Sequence, residues 1–394
     1  MKENQTPSTP YYIVDESRLR RNMKKLRDVQ DTGLVKIIMA FKANALWKTF
    51  PIIKEYFSSS TASSLNEMQL SLDYLGNDVH AYCPVYTDET FPKFLEGCSH
   101  ITFNSVAQFN KYYPQIKAYN QLHKDDGKAV SAGLRVNPQC SVIETDIYNP
   151  CIPGSRFGVN ASDLKELPEG CEGIHFHALC ESSSYDLEKV LQALEEQFGD
   201  YLKKVKWLNM GGGHLITRKD YDTSHLKKLL KDFKSKYPNL ELIMEPGSAF
   251  TWQTGDLVTS VLDVVENSGV KTAIIDASFA CHMPDCLEMP YKPAIAEALP
   301  DEEERPEGEN PNESFKYRLG GNSCLSGDFV GDWNFTNELK AGDKLTLLDM
   351  NHYTTVKTTM FNGIQHPSIW LRKENGDLEL LRSFDYDDYR TRMD

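Results

Sequence analysis

The sequence predicts an α/β chain in which a (β/α)8 barrel carries a mostly antiparallel β domain built from both chain ends. Three observations point there. Eight short β-rich runs alternate with stretches of helical spacing between about residues 34 and 250, which is the pattern of parallel β/α units and the arithmetic of a closed barrel. No G-x-G-x-x-G follows the first run, as a doubly wound dinucleotide fold would require. Beyond about residue 255 the texture changes to strand-like runs separated by Gly, Pro and Asn.

The eight barrel runs are Val35–Phe41, Ser59–Ser63, His80–Pro84, Ile101–Asn104, Ser131–Asn137, Gly173–Ala178, Val205–Met210 and Glu241–Glu245. Between the last three lie segments such as "SYDLEKVLQALEEQF", where Leu187, Val190, Leu191 and Leu194 recur at helical spacing behind a serine-rich start able to cap the helix. The later runs "DLVTSVLDVVE", "VKTAIIDAS", "FKYRLGG", "DKLTLLD" and "YTTVKTTMF" read as strands of the second domain. "YYIVD" at 11–15 is a lone strand ahead of the barrel that can join them. The expected division is 16–255 for the barrel, with 1–15 and 256–394 forming the β domain. The acidic, Pro-rich "ALPDEEERPEGENPNES" (298–314) reads as a solvated loop.

Composition narrows the function. The chain has 43 basic and 57 acidic residues, a formal charge of −14, which disfavours nucleic acid or an anionic membrane as partner and permits a cationic small molecule. Nine scattered cysteines without a C-x-x-C pair predict reduced thiols and a cytoplasmic protein, not a zinc site or disulfide frame. The polar start "MKENQTPSTP" has no apolar core, and no later window approaches a membrane span.

In a β/α barrel the chemistry sits at the carboxyl ends of the strands. Here those ends carry Lys42, Glu67, Arg135, His177 with Cys180 and Glu181, "GGGH" (211–214) and "EPGS" (245–248). Lys42 is either a lysine surfacing from an apolar strand or, once desolvated, an amine able to attack a carbonyl. Gly211, Gly212 and Gly213 are either a flexible turn or a place where main-chain N–H groups approach a phosphate. Glu245 follows Leu242, Ile243 and Met244, so it needs a cationic partner. A pyridinium nitrogen and Arg135 both qualify. His175 and His177 share one face of a strand, as a metal-dependent barrel hydrolase would present two ligands, with His214 and Asp276 as the available others.

Taken together, "AFKANAL", "FHALCE", "MGGGH", "EPGS", "GGNSCLSGD" and "YTTVKTTMFNG" resemble the pyridoxal-phosphate decarboxylases of the alanine-racemase-like fold. "TASSLNE", "HALCE" and "CHMPDCLEMPY" are similar to its carboxynorspermidine/carboxyspermidine branch. The motifs occur in family order over nearly the whole chain. The resemblance implies pyridoxal 5'-phosphate as cofactor, Lys42 as its Schiff-base lysine, His177 stacked on its face and Gly211 to Gly213 as its phosphate loop. It also implies Glu245 at the pyridine nitrogen, Arg135 behind the cofactor and Tyr353 at the phosphate; Glu67 stands with the cofactor-binding residues. Cys324 matches a cysteine that the family delivers from a partner subunit, so a homodimer with shared active sites is expected, with Lys42 and Cys324 as catalytic residues.

The activity so implied is loss of carbon dioxide from carboxynorspermidine or carboxyspermidine, in polyamine biosynthesis. Carboxylates would recognise the amines of such a substrate: Glu181, Asp285, Glu288 and Asp328, with Glu245 and Ser248 at the same site. The pattern departs from the family at three places. Ser248 stands where relatives have arginine or glutamate, Leu325 where ornithine decarboxylase has an aspartate, and Cys180 where others have a phosphate-binding serine. The alternatives are a related decarboxylase of diaminopimelate, ornithine or arginine, a non-catalytic binding relative, and the metal-dependent hydrolase.

Overall fold

A computed structural model describes residues 7–143, 145–300 and 314–394. The chain divides into two compact units, residues 20–250 and residues 1–19 with 251–394. Their strands are numbered here along the chain, starting with β1 (Tyr11–Asp15) in the second unit.

The first unit is the barrel. Its opening strand is two short pieces, β2 (Lys36–Ile37) and β3 (Met39–Ala40). The others are β4 (Ser59–Ala62), β5 (Asp78–Tyr82), β6 (His100–Phe103), β7 (Ser131–Arg135), β8 (Gly173–His175), β9 (Trp207–Asn209) and β10 (Glu241–Met244). All neighbours are parallel in the order β2-β10-β9-β8-β7-β6-β5-β4-β3, so the split opening run pairs with β10 through one piece and with β4 through the other. That closes eight strand positions into a ring. Six of the strands are shorter than the expected runs. The fourth keeps its length but starts one residue early, and the third keeps its length but starts two residues early, at Asp78, because the polar Asp78 anchors the strand by accepting hydrogen bonds from Ser59 and Ser99.

Helices between the strands are set by local caps. Ser183 and Asp186 form a reciprocal capping box at the start of Ser184–Leu202, which buries Leu187, Val190, Leu191 and Leu194 as their spacing predicts. Ser64 caps Leu65–Tyr74 by accepting from the Glu67 N–H. The barrel interior is filled by size matching across strands. Gly133, Gly173 and Trp207 lie in register on β7, β8 and β9, and the indole occupies the space the glycines leave. Its Nε1–H donates to Ser131 Oγ at 2.8 Å.

At the amino-terminal mouth of the barrel, Lys36 pairs with Asp78 at 2.6 Å, and His80 stacks on His100 with ring centres 3.9 Å apart. Burial raises the Asp78 carboxyl, but hydrogen bonds from His80, Lys36 and Ser59 outweigh it and hold the group far below the usual range. Burial drives His100 down to about 2, so that ring stays neutral.

The second unit is a sheet in the order β14-β13-β12-β11-β1-β16-β17, with β15 also on β11. Its strands are β11 (Gly255–Asn267), β12 (Val270–Ile275), β13 (Phe315–Gly320), β14 (Asp332–Phe335), β15 (Lys344–Leu347), β16 (Ser368–Arg372) and β17 (Leu378–Arg382). "YYIVD" does join it, antiparallel to β11 and parallel to β16. The β12–β13 pair is also parallel and the remaining pairs are antiparallel. Tyr12, Leu257, Ile275, Tyr317, Leu319, Trp333 and Leu347 form its core. "YTTVKTTMF" is not a strand; it forms short 3-10 turns at Thr354–Val356 and Phe361–Gly363. Most of the expected loop at 298–314 lies outside the described residues.

A Cβ on Gly173 would stand 1.9 Å from the Trp207 ring. Gly173→Val therefore lowers stability in urea unfolding by about 1–3 kcal/mol or more, as overpacking does. Gly327→Ala, where nothing lies within 4 Å, changes it by less than about 0.5 kcal/mol.

Candidate active site

The carboxyl ends of the barrel strands surround a cavity of about 720 Å³. Ala40, Lys42, Tyr82, Arg135, His175, His177 and Glu245 line its inner part, and Asp146, Tyr148, Arg156 and Phe157 line its outer part. Lys42 is the second residue of the turn after β3, which closes through the Ala43 N–H to the Ala40 carbonyl. Gly247, just past β10, packs on that turn so tightly that a Cβ would lie 2.8 Å from Ala43 Cβ. Small residues on both sides thus bring the end of β10, with Glu245, up to the lysine.

Lys42 opens toward the solvent of the cavity but is otherwise walled by protein. Desolvation lowers its pKa; Glu245 opposes this and Arg135 adds to it. Its Nζ is 3.5 Å from His177 Nε2. His177 Nδ1 accepts the Gly212 N–H at 2.9 Å, which places the ring proton on Nε2. Burial, then Lys42 and Arg135, push His177 well below the ordinary histidine range, so it is a neutral ring.

Glu245 is buried and accepts from Asn209 Nδ2 at 2.7 Å. Asn209 Oδ1 in turn accepts the Gly211 N–H at 2.9 Å. One asparagine side chain therefore couples the carboxylate to the glycine turn, a link that no motif in the sequence announced. The three glycines are needed for close approach: a Cβ on Gly211 would lie 2.5 Å from the Phe176 carbonyl oxygen, and one on Gly213 2.1 Å from that of Leu179. Gly211 and Gly213 also have φ of +66° and +86°. Two of the three N–H groups are spent inside the protein, on Asn209 and His177. That of Gly213 has no partner among the described residues.

Arg135, at the end of β7, is buried without a carboxylate partner among the described residues. Its guanidinium lies over the rings of Tyr82 (4.7 Å) and Phe157 (4.5 Å) and donates to the His177 carbonyl at 3.3 Å. Glu245 thus engages Asn209 and forms no ion pair with Arg135. Glu67 Oε2 accepts the Ser63 N–H at 2.6 Å, and burial raises its carboxyl while Lys42 opposes. Cys180 is a neutral thiol, pushed up to about 11 by burial and Glu181. Glu181 has φ of +48°, and its carbonyl accepts from Arg218 at 2.9 Å. Ser248 is half-buried at the start of Gly247–Thr251.

The remaining candidates belong to the second unit. Cys324 is exposed, and its N–H donates to Asn362 Oδ1 at 2.8 Å. Asp328 is buried and accepts from Ser278 Oγ, Ser323 Oγ, Ser323 N–H and Ala280 N–H, so its carboxylate holds the loop bearing Cys324. Asp285 is buried; Oδ2 accepts from Tyr291 (2.7 Å) and Thr354 (2.9 Å), while Oδ1 has no partner among the described residues. Glu288 pairs with Lys357. Tyr353 sits at the centre of a γ-turn with φ of +46°, closed from the Thr354 N–H to the His352 carbonyl. Such a strained backbone marks functional segments. His175 and His177 gain no third metal-capable partner among the described residues. Among the described residues the one such trio is Asp78, His80 and His100, at the opposite mouth, where the Lys36 ammonium already holds Asp78.

A lysine whose amine is desolvated, a neutral imidazole beside it and a carboxylate fixed at a strand end form the apparatus of a pyridoxal-dependent enzyme. The family described as pyridoxal-dependent decarboxylase, C-terminal sheet domain, matches residues 11–351, and this chain belongs to it. The chain is 42% identical over 386 residues to the carboxyaminopropylagmatine decarboxylase of Synechocystis, spanning 98% of this chain and 95% of that one. It is 39% identical to the carboxynorspermidine/carboxyspermidine decarboxylase of Campylobacter jejuni, over 98% of both. Among solved structures it matches carboxynorspermidine decarboxylase from Campylobacter jejuni complexed with norspermidine, at a TM-score of 0.86 and 38% identity, covering 98% of this chain and 100% of that one. The Helicobacter pylori diaminopimelate decarboxylase, at 18% identity and TM-score 0.78, shares the fold.

Two expectations follow. Asn209→Ala leaves a buried carboxylate oxygen unpaired and lowers stability in urea by about 1–3 kcal/mol. Lys42, with its pKa lowered, is a free amine at lower pH than an ordinary lysine, so the rate at which apoenzyme takes up pyridoxal phosphate rises with pH and levels off below the unperturbed value of about 10.4. A midpoint at or above that value in stopped-flow absorbance would contradict the desolvation.

Proposed function

We propose that the chain decarboxylates a carboxylated polyamine, carboxynorspermidine or carboxyspermidine, using Lys42, His177 and Glu245 as the core of its pyridoxal-phosphate site. The observation that carries this reading is the juxtaposition of the desolvated Lys42 with neutral His177 and the Asn209-held Glu245, in a chain of which the polyamine-carboxylate relatives span nearly the full length. The fit to the cofactor rests on the same features: an amine for its aldehyde, the Gly213 N–H for its phosphate, and Glu245 for its pyridine nitrogen.

The bound cofactor supplies an electron sink for the pair left when the carboxylate departs. The chain's own residues do the rest. Lys42 would hold the cofactor, and its amine, when not bonded there, could carry a proton. His177 presents the face of a neutral ring, so no cation competes for the cofactor's π-system. Glu245 keeps a positive charge at the pyridine nitrogen, and Glu67 biases the charge of Lys42. Arg135 braces the strand ends, and Tyr353 is the tyrosine that the family resemblance assigns to the phosphate.

Cys324 is read as the group that a second copy offers, with Lys42 as the other candidate proton donor. Its exposure on a loop held by Asn362 supports that reading, and with it a homodimer of shared sites. Asp328 serves by holding this loop. Distal amines are met by Asp285, whose open Oδ1 suits a cationic donor, with Glu181 and Glu288 as further acids and Ser248 as the small neighbour that leaves room. The nine unpaired thiols fit a reducing, cytoplasmic setting.

A second reading has a specific support, the 42% identity to the Synechocystis enzyme: the distal group would then be the guanidinium of carboxyaminopropylagmatine in place of an amine. Carbon dioxide release from carboxynorspermidine, carboxyspermidine, carboxyaminopropylagmatine, ornithine and diaminopimelate decides. A preference for either of the last two would overturn the polyamine reading. Asp285→Asn raises KM for the preferred substrate about tenfold, as loss of a charged hydrogen bond does, with less effect on kcat. Mixing inactive Lys42→Ala and Cys324→Ala chains restores activity that neither has alone, because a mixed dimer contains one intact site; no restoration would refute the shared site.

A further inference from the structure

His175 is the second buried imidazole of the site, and nothing above uses it. It ends β8, two residues before His177, and its side chain lines the same cavity. The residue is 2% exposed, yet neither Nδ1 nor Nε2 has a hydrogen-bond partner among the described residues. Its ring lies 5.2 Å from that of Tyr82, whose hydroxyl is committed to Asn104 at 2.8 Å. An imidazole buried with both nitrogens unsatisfied loses the hydrogen bonds that water would have given it, and no described protein group replaces them. Such a group persists where a ligand completes it.

What completes it follows from the polar atoms of the cofactor proposed above, on which this inference rests. Pyridoxal phosphate has four polar features. The aldehyde is assigned to Lys42, the pyridine nitrogen to Glu245 and the phosphate to the glycine turn, which leaves the phenolic 3-oxygen. That oxygen is ortho to the aldehyde carbon, so its partner must lie close to Lys42. His175 and Lys42 line the same cavity, and burial, then the charges of Arg135 and Lys42, hold the His175 ring neutral. Arg135 is clasped between Tyr82 and Phe157 and tied to the His177 carbonyl, and among the described residues that line the cavity only His175 has buried side-chain nitrogens without a partner.

We infer that His175 is a cofactor-positioning residue whose ring N–H donates a hydrogen bond to the phenolic 3-oxygen of pyridoxal phosphate. Two imidazoles, one ending β8 and one just past it, then divide the work, His177 against the ring face and His175 at its oxygen edge. The pairing that suggested metal ligation in the sequence acquires a different use.

The test titrates apoenzyme with pyridoxal 5'-phosphate and with 3-deoxypyridoxal 5'-phosphate, which lacks the oxygen, reading Kd from the visible chromophore and from protein fluorescence. His175→Phe is expected to weaken binding of the full cofactor about tenfold, the loss typical of one hydrogen bond to a charged acceptor, and to leave the deoxy analogue within about twofold of wild type. His175→Gln, which keeps a donor, recovers part of the loss, and it carries the comparison alone if His175→Phe apoenzyme melts below wild type. Equal weakening of both ligands, or none of either, overturns the inference. Wild-type apoenzyme forming no chromophore with the full cofactor would instead overturn the cofactor assignment itself.

Discussion

An amine is a nucleophile only without its proton, and the site depends on lowering the proton affinity of Lys42 with Glu245 close by. A carboxylate in a low-dielectric cavity would ordinarily keep the ammonium charged. Here Asn209 takes a Glu245 oxygen, while the same amide's carbonyl fixes Gly211. Arg135 and the protein walls press the lysine pKa down. In the function proposed above, that leaves the carboxylate for a different cation, the cofactor's pyridinium. Closure of the ring through the split β2 and β3 and the tight packing of Gly247 on the Lys42 turn are what bring these groups within reach.

The two mouths of the barrel treat charge in opposite ways. At the amino-terminal mouth Lys36 and Asp78 satisfy each other at 2.6 Å, and the His100 ring stacked on His80 is neutral. Paired charges of that kind stabilise a structure and have nothing left for a ligand. At the carboxyl-terminal mouth the groups stay incomplete: Arg135 has no carboxylate, His175 no hydrogen bond, and the Gly213 N–H no acceptor among the described residues. Incompleteness in a buried cavity is the physical signature of a site that finishes its bonding with a ligand.

Much of this was legible in the sequence, because a parallel barrel strand buried on both faces leaves an apolar run and its last residue faces the site. That rule located Lys42, Arg135, His177, the glycines and Glu245. It missed β14, β16 and β17: β14 and β17 are edge strands, β14 is four residues long, and β16 and β17 each fully bury one residue, so little burial pattern shows. It took "YTTVKTTMF" for a strand because threonine and valine favour one, where the strained turn at Tyr353 overrides the propensity. Asn209 was invisible: an asparagine at a strand end has no pattern, and only its two hydrogen bonds give it a role. His175 was seen, but its chemistry depends on what does not contact it, which no sequence spells out.

The central claim is that Lys42 alone among the lysines bonds covalently to pyridoxal phosphate. Borohydride reduction of the holoenzyme, followed by proteolysis and mass spectrometry, reads this directly. The account predicts a phosphopyridoxyl group on the peptide containing Lys42 and on no other. A modified lysine elsewhere, or an unmodified Lys42 in enzyme that retains full activity, would contradict it.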